Sequence, residues 1–255
     1  MTNISRRQFL KTGLSILAAS HLISCVTSST KTAPLEPRLT ARPFNPRNTA
    51  IKGLTNPILS NGRGVILYIP ESYSHEIAMP LLIALHGSGE DSSTWKSYHA
   101  RAEERGFILL APDSRSTTWD LINGSYGADL IFLDEALKYV FERCNIDNTH
   151  IAFCGFSDGA SYVLSLGISN GDLFTHLIGY SPGYLAGKEP VIGKPEIYIS
   201  HGTEDNIFPV RITRNNIVPA LVKSGYDVAY YEFEGGHEVP AAVSEAALDW
   251  FLRKN

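Results

Sequence analysis

The feature that most constrains this chain is a set of short, unbroken apolar runs, each followed at once by a turn signal. Leu81-Leu82-Ile83-Ala84-Leu85 runs into His86-Gly87, Phe107-Ile108-Leu109-Leu110-Ala111 stops at Pro112-Asp113, and Ile151-Ala152-Phe153-Cys154 ends at Gly155. Such runs have no polar face, so as strands they must be covered on both sides, as in the middle of a parallel sheet. Further strands are expected at 65–69, 177–180, 196–199 and 229–233. Between them lie segments with apolar residues three and four apart, which predict helices at 92–104, 128–142, 160–166, 210–223 and 240–252. Strand and helix alternate along the chain, so the expected fold class is α/β, with a mostly parallel central sheet and helices on both faces. Ligands of such sheets sit beyond the carboxyl ends of the strands, where the chemistry is to be sought.

One of those ends reads Gly155-Phe156-Ser157-Asp158-Gly159, a G-x-S-x-G sequence between a strand and a helix. In the nucleophile elbow the glycines permit a turn too tight for side chains, and the serine is pushed outward at a helix N-terminus. The pattern alone is weak, because Gly167-Ile168-Ser169-Asn170-Gly171 matches it too. Ser169, however, follows a helix and enters a loop, so it reads as a helix stop. Ser157 is the expected nucleophile.

A serine nucleophile needs a base that titrates near neutrality and an acid that orients it, in the chain order serine, acid, histidine for this elbow. Three histidines follow Ser157: His176, His201 and His237. His176 precedes a strand, at the wrong end of the sheet. His201 ends a strand, but no strand-end acid lies between it and Ser157. His237, in Gly235-Gly236-His237-Glu238 after the last strand, is the expected base, on a loop whose glycines suggest flexibility. The acid is expected at Asp205, in His201-Gly202-Thr203-Glu204-Asp205, with Glu204 as the alternative. Attack also places negative charge on a carbonyl oxygen, which two backbone N–H groups usually stabilise. Asp158, next after the nucleophile, and Ser88, in His86-Gly87-Ser88-Gly89, are the expected donors. His86 reads as structural.

Together the stretches 82–89, 151–160, 199–209 and 235–237 resemble the esterase branch of the α/β-hydrolases. That branch includes the carboxylesterase/phospholipase group and proteins similar to polyhydroxybutyrate depolymerases and feruloyl esterases. The resemblance covers roughly residues 60–253 and implies a cofactor-free hydrolase of carboxylic esters that works through an acyl-enzyme. The chain between residues 183 and 194 is too short for a large lid, which favours small or accessible esters. Trp119, Tyr126, Tyr184, Ile207 and Phe208 are candidate pocket residues. A peptidase or amidase of the same fold is the second reading, and a non-catalytic, lipid-anchored binding module the third.

The N-terminus reads as an address. Ser5-Arg6-Arg7-Gln8-Phe9-Leu10-Lys11 resembles a twin-arginine export signal, and Leu22-Ile23-Ser24-Cys25 a bacterial lipobox whose cysteine, Cys25, is lipidated. The expected organisation is therefore a leader over 1–25, a flexible Ser/Thr/Pro-rich linker over 26–60 and a catalytic domain over 61–255, held at a membrane by the lipid after export. Composition narrows the remaining classes. A net charge of −4 without a basic stripe gives nucleic acid no footprint. Three cysteines, Cys25, Cys144 and Cys154, with no C-x-x-C pair, make neither a disulfide framework nor a zinc site, and no metal is expected. Cys144 and Cys154 are expected as reduced core residues.

Overall fold

The apolar runs form the centre of one sheet. The structure, a computed structural model, describes residues 35–60, 64–186 and 190–253. Among these residues eight strands, β1 (Gly53–Thr55), β2 (Val65–Ile69), β3 (Met79–Leu85), β4 (Ile108–Pro112), β5 (Ile146–Phe156), β6 (His176–Tyr180), β7 (Glu196–Gly202) and β8 (Val228–Phe233), join in the order β1-β2-β4-β3-β5-β6-β7-β8. At one edge β1 pairs β2 and β2 pairs β4 antiparallel, and the remaining pairings, from β4 through β8, are parallel.

Alternate residues of each strand point to opposite faces, and both faces are covered. Leu81, Ile83 and Leu85 pack with Ile151, Phe153 and Leu177 against α2 (Ala128–Phe141), α3 (Asp158–Ile168) and Leu221 of α4 (Val218–Lys223). Leu82, Ala84, Leu109, Ala152 and Cys154 pack against α1 (Tyr98–Arg105) and α5 (Ala241–Phe251). Residues 81–85 are all fully buried, each large side chain there contributing about 1.5–3 kcal/mol of burial. Cys144 and Cys154 are buried free thiols, and burial pushes the Cys144 thiol up to about 12.

Several boundaries differ from the sequence reading, each for a local reason. The helix expected over 92–104 is a 3-10 turn, Ser92–Trp95, followed by α1. Asp91 caps the turn by accepting from the Ser93 N–H at 2.9 Å, and the turn brings the buried Trp95 and Tyr98 rings edge to face at 5.0 Å. The helix expected over 210–223 contains a π-turn at Thr213–Ile217 just ahead of Pro219, where a ring without an N–H breaks the regular bonding. β5 begins at Ile146, five residues early, because Asp147-Asn148-Thr149-His150 hide its start from any apolar count.

Residues 35–60 are not the free linker that their composition suggests. Leu39 and Ala41 are buried. Asn170 accepts from the Leu39 N–H at 2.9 Å and donates to the Pro37 carbonyl at 2.9 Å, while Asp134 accepts from the N–H groups of Thr40 and Ala41. Arg38 forms a two-bond pair with Asp172 at 2.9 Å. Domain side chains thus satisfy the segment's backbone, and β1 adds a strand. The leader with Cys25, and the first part of the expected linker, lie outside the described residues. No helix among the described residues is long and apolar enough to cross a membrane.

His176 opens β6 at the N-terminal end of the parallel strands, opposite the end that carries Ser157, as its place in the sequence implies. Its ring lies 5.8 Å from that of His150 and meets Trp250 and Phe251 edge-on at 5.1 and 5.2 Å. Burial, with smaller contributions from His150 and Arg253, lowers its pKa to about 4. The folded state therefore holds the neutral ring, and the unfolded chain takes up the proton first, near pH 6.5. This contribution should be complete above pH 6.5 and decline by about 3 kcal/mol as the pH falls to 4. His176→Phe should flatten the stability curve between those limits in denaturant titrations; an unchanged slope would contradict the assignment.

Candidate active site

The end of β5 is built by close backbone approach. A side chain at Gly155 would place its Cβ 2.5 Å from the Gly159 carbonyl, and one at Gly159 would come 2.5 Å from the His86 carbonyl oxygen. Only glycine lets α3 start this close to β5 and β3. Between them Ser157 has φ 58° and ψ −121°, outside the favoured regions for an L-residue, at a cost of about 1–3 kcal/mol. Its N–H is held by the Tyr180 carbonyl at 2.9 Å. The strain directs the hydroxyl away from the strand to the N-terminus of α3.

There His237 Nε2 lies 2.8 Å from Ser157 Oγ, and its Nδ1 lies 2.6 Å from Asp205 Oδ2. The three side chains come from the loops after β5, β8 and β7 and form one line of hydrogen bonds. Burial alone would raise the Asp205 pKa, but bonds from His237 and from the N–H groups of Phe208 and Ile207 outweigh it and hold the carboxyl below its usual range. Glu204, the alternative acid, is exposed on the same loop. Ser169 sits at the opposite end of α3, buried, with its hydroxyl donating to the Pro190 carbonyl at 2.8 Å.

The glycines beside His237 do not make its loop free. A Cβ on Gly202 would fall 2.2 Å from the Gly236 carbonyl oxygen, so the loops after β7 and β8 lie backbone against backbone. The N–H groups of Thr203 and Glu204 donate to the carbonyls of Phe233 and Gly235 at 2.8 and 2.9 Å. These bonds bring acid and base into register.

Ser88 follows Gly87, where a Cβ would stand 3.3 Å from Ser157 Cβ. The Gly89 N–H is occupied by the Thr117 carbonyl at 2.7 Å, whereas the N–H groups of Ser88 and Asp158 have no hydrogen-bond partner among the described residues. The buried His86 explains how the Ser88 amide is aimed. Its Nε2 accepts from the Ser114 N–H at 2.9 Å, so Nδ1 carries the hydrogen and donates to the Gly87 carbonyl at 2.7 Å. In a trans peptide the carbonyl and the next N–H point in opposite directions, and the Ser88 N–H is turned away from His86. The Asp158 carboxylate accepts from the Thr118 hydroxyl at 2.8 Å.

Of the candidate pocket residues, Phe208 meets the His237 ring edge-on at 5.6 Å and Ile207 is exposed beside it. Trp119 is instead fully buried, with Nε1 donating to the His86 carbonyl at 2.8 Å, and Tyr126 packs in the core against Tyr162. Tyr184 is partly buried against the same core. The cavity that reaches His237, about 510 Å³, is lined by Trp95, Tyr98, Phe156, Arg101, Glu90 and Glu238, among others. Sequence reasoning did not find those residues. Phe156 was adjacent to the elbow, but Trp95, Tyr98 and Arg101 come from a helical segment with no motif.

No family model matches the chain. Among known proteins, a probable feruloyl esterase C of Aspergillus clavatus is 29% identical over 159 residues, which cover 58% of this chain and 57% of that protein. Feruloyl esterase C of Emericella nidulans is 26% identical over 168 residues, 62% of this chain and 60% of that protein. The chain thus matches less than two thirds of the length of these relatives. An S-formylglutathione hydrolase of Staphylococcus aureus superposes with a TM-score of 0.63 over 82% of this chain and 99% of that one, at 13% identity. A ferulic acid esterase of Anaeromyces mucronatus, solved with ferulic acid, gives 0.56 over 83% and 95%, at 17% identity. The fold is that of the α/β-hydrolases.

Proposed function

We propose that the chain is a serine carboxylic-ester hydrolase acting through an acyl-enzyme, with Ser157 as nucleophile, His237 as base and then acid, and Asp205 as the orienting carboxylate. The observation that carries this reading is the unbroken line from Ser157 Oγ through both nitrogens of His237 to Asp205. Ser157 Oγ attacks the ester carbonyl carbon while its proton passes to His237 Nε2. The carbonyl oxygen takes up the negative charge, which the N–H groups of Ser88 and Asp158 and the N-terminus of α3 stabilise. Collapse breaks the bond to the alcohol, whose oxygen takes the proton from His237 Nε2. Water then repeats the sequence on the acyl-enzyme, with His237 again accepting the proton. Similarity to two feruloyl esterases supports esters over amides and over a non-catalytic role.

The test is hydrolysis of p-nitrophenyl esters of increasing acyl length. Turnover with a maximum at short or intermediate length is the expected result. Cleavage of amide or peptide substrates in preference to every ester would favour the peptidase reading.

Export and anchoring accompany this proposal. The twin-arginine pattern and the lipobox support an exported enzyme, lipidated at Cys25. Labelled palmitate should enter the wild type and not Cys25→Ala in a bacterial host; equal labelling of both would exclude that site.

A further inference from the structure

His201 takes no part in the proton transfers above, yet it lies against the acid that governs them. It is fully buried near the end of β7. Its Nε2 lies 3.1 Å from Asp205 Oδ2, the same oxygen that His237 Nδ1 reaches at 2.6 Å, and 2.7 Å from the Phe208 carbonyl oxygen. On the other side of the ring, Nδ1 lies 2.8 Å from Thr213 Oγ1.

These partners fix the ring's hydrogens. A carboxylate and a carbonyl only accept, so Nε2 carries a hydrogen, which bonds to the Phe208 carbonyl and lies close to the Asp205 carboxylate. Burial is the largest influence on the ring and lowers its pKa, which favours the neutral form. With the ring neutral Nδ1 accepts, and the Thr213 hydroxyl donates to it at 2.8 Å in preference to the Pro182 carbonyl, which lies farther off at 3.2 Å. Asp205 consequently receives three hydrogen bonds, from the Ile207 and Phe208 N–H groups on Oδ1, at 2.9 and 2.8 Å, and from His237 on Oδ2, and the His201 N–H stands beside Oδ2 as a fourth positive dipole.

We propose that His201 is a positioning residue: its Nε2–H fixes Asp205 and the Phe208 backbone together and, by taking a share of the carboxylate's charge, sets how strongly Asp205 binds the His237 imidazolium. This rests on the hydrolase reading of the same site. The other charged groups around the pair are few. Glu232 lies opposite His201 in register on β8 and is held by Arg214 and Tyr230, while Glu238 and Glu90 share the cavity with His237.

Removing that N–H concentrates charge on Oδ2, which strengthens its bond to His237 and favours the imidazolium. His237 must be neutral to accept the Ser157 proton, so the acid limb of the pH–rate profile moves to higher pH. His201→Phe fills the space without an N–H, whereas the amide of His201→Gln supplies a donor near the position of Nε2.

The experiment uses the full chain and two readouts. The first is the low-field proton resonance of the His237–Asp205 bond, which requires no substrate. The second is the acid limb of kcat/KM for p-nitrophenyl acetate. In His201→Phe the resonance should move downfield and the acid limb should rise by about 0.5–1 pH unit, while His201→Gln stays with the wild type. Coincident resonances in all three proteins, or a glutamine variant that moves as far as the phenylalanine one, would overturn the proposal. If His201→Phe does not fold, Thr213→Val replaces it. That change removes the partner of Nδ1, so the resonance should move in the same direction, and an unmoved resonance again overturns the proposal. A protein that hydrolyses no ester would count against the hydrolase reading, and the resonance would still decide the role of His201.

Discussion

Replacing Ser157 by alanine is expected to lower ester turnover by about 10⁴–10⁶-fold and to leave the unfolding transition where it was. The two halves of this expectation come from different parts of the residue. In the proposed mechanism the hydroxyl oxygen forms the covalent bond to the substrate, and among the described residues no other serine or cysteine is bonded to His237 Nε2. Ser169 is at the opposite end of α3 with its hydroxyl bonded to Pro190, and Cys154 is buried within β5. Alanine keeps the Cβ, and with it the same unfavoured backbone at φ 58°, so the strain of the elbow is the same in both proteins. The turnover that persists measures what the Ser88 and Asp158 amides do for attack by water without a nucleophile. A loss of less than tenfold would place the nucleophile elsewhere.

The second large effect is expected at Asp205. Changing it to asparagine should cost about 10³–10⁴-fold in kcat, although the side chains have the same shape. The reason lies in the N–H groups that surround the carboxylate. Two backbone N–H groups, from Ile207 and Phe208, point at Oδ1, and they oblige the asparagine oxygen to take that position. The amide nitrogen then faces His237 Nδ1 and His201 Nε2, where an acceptor is required. His237 can satisfy it only by moving its own hydrogen to Nε2, the tautomer that cannot accept the Ser157 proton. Activity of Asp205→Asn should therefore recover poorly at any pH where the fold survives. A mild loss would return Glu204 to consideration, although its exposed position makes no provision for that role.

How far the sequence could be read depended on whether a feature was local. The strands at 81–85, 107–111 and 151–154 were legible because burial on both faces leaves no polar residue in the run, and the elbow was legible because its glycines answer a steric demand within five residues. Chain order then singled out His237 and Asp205. What was not legible depends on partners distant in sequence. The burial of Leu39 requires Asn170 and Asp134 to satisfy its neighbours' backbone, and nothing in a Pro- and Ser-rich stretch announces that. The loop around His237 read as flexible because glycine usually means freedom. Gly202 is instead small so that its backbone can touch that of Gly235 and Gly236. Trp119 read as a pocket residue because it lies in a loop, but its indole nitrogen is spent on the His86 carbonyl. Chain order gives His201 no acid ahead of it and so no role as a base, and its contact with Asp205 arises only when the loop after β7 folds back on the strand.

The central claim is that Ser157 carries the acyl group between two half-reactions. The measurement that tests it most directly is mass spectrometry of the protein quenched in acid during turnover of p-nitrophenyl acetate, followed by peptide mapping. The account predicts one acetyl group per chain, on the peptide containing Ser157, that builds up during the reaction, decays when substrate is exhausted and is absent from Ser157→Ala. Steady ester hydrolysis with no acetyl group on that peptide, or with the label on another residue, would contradict it.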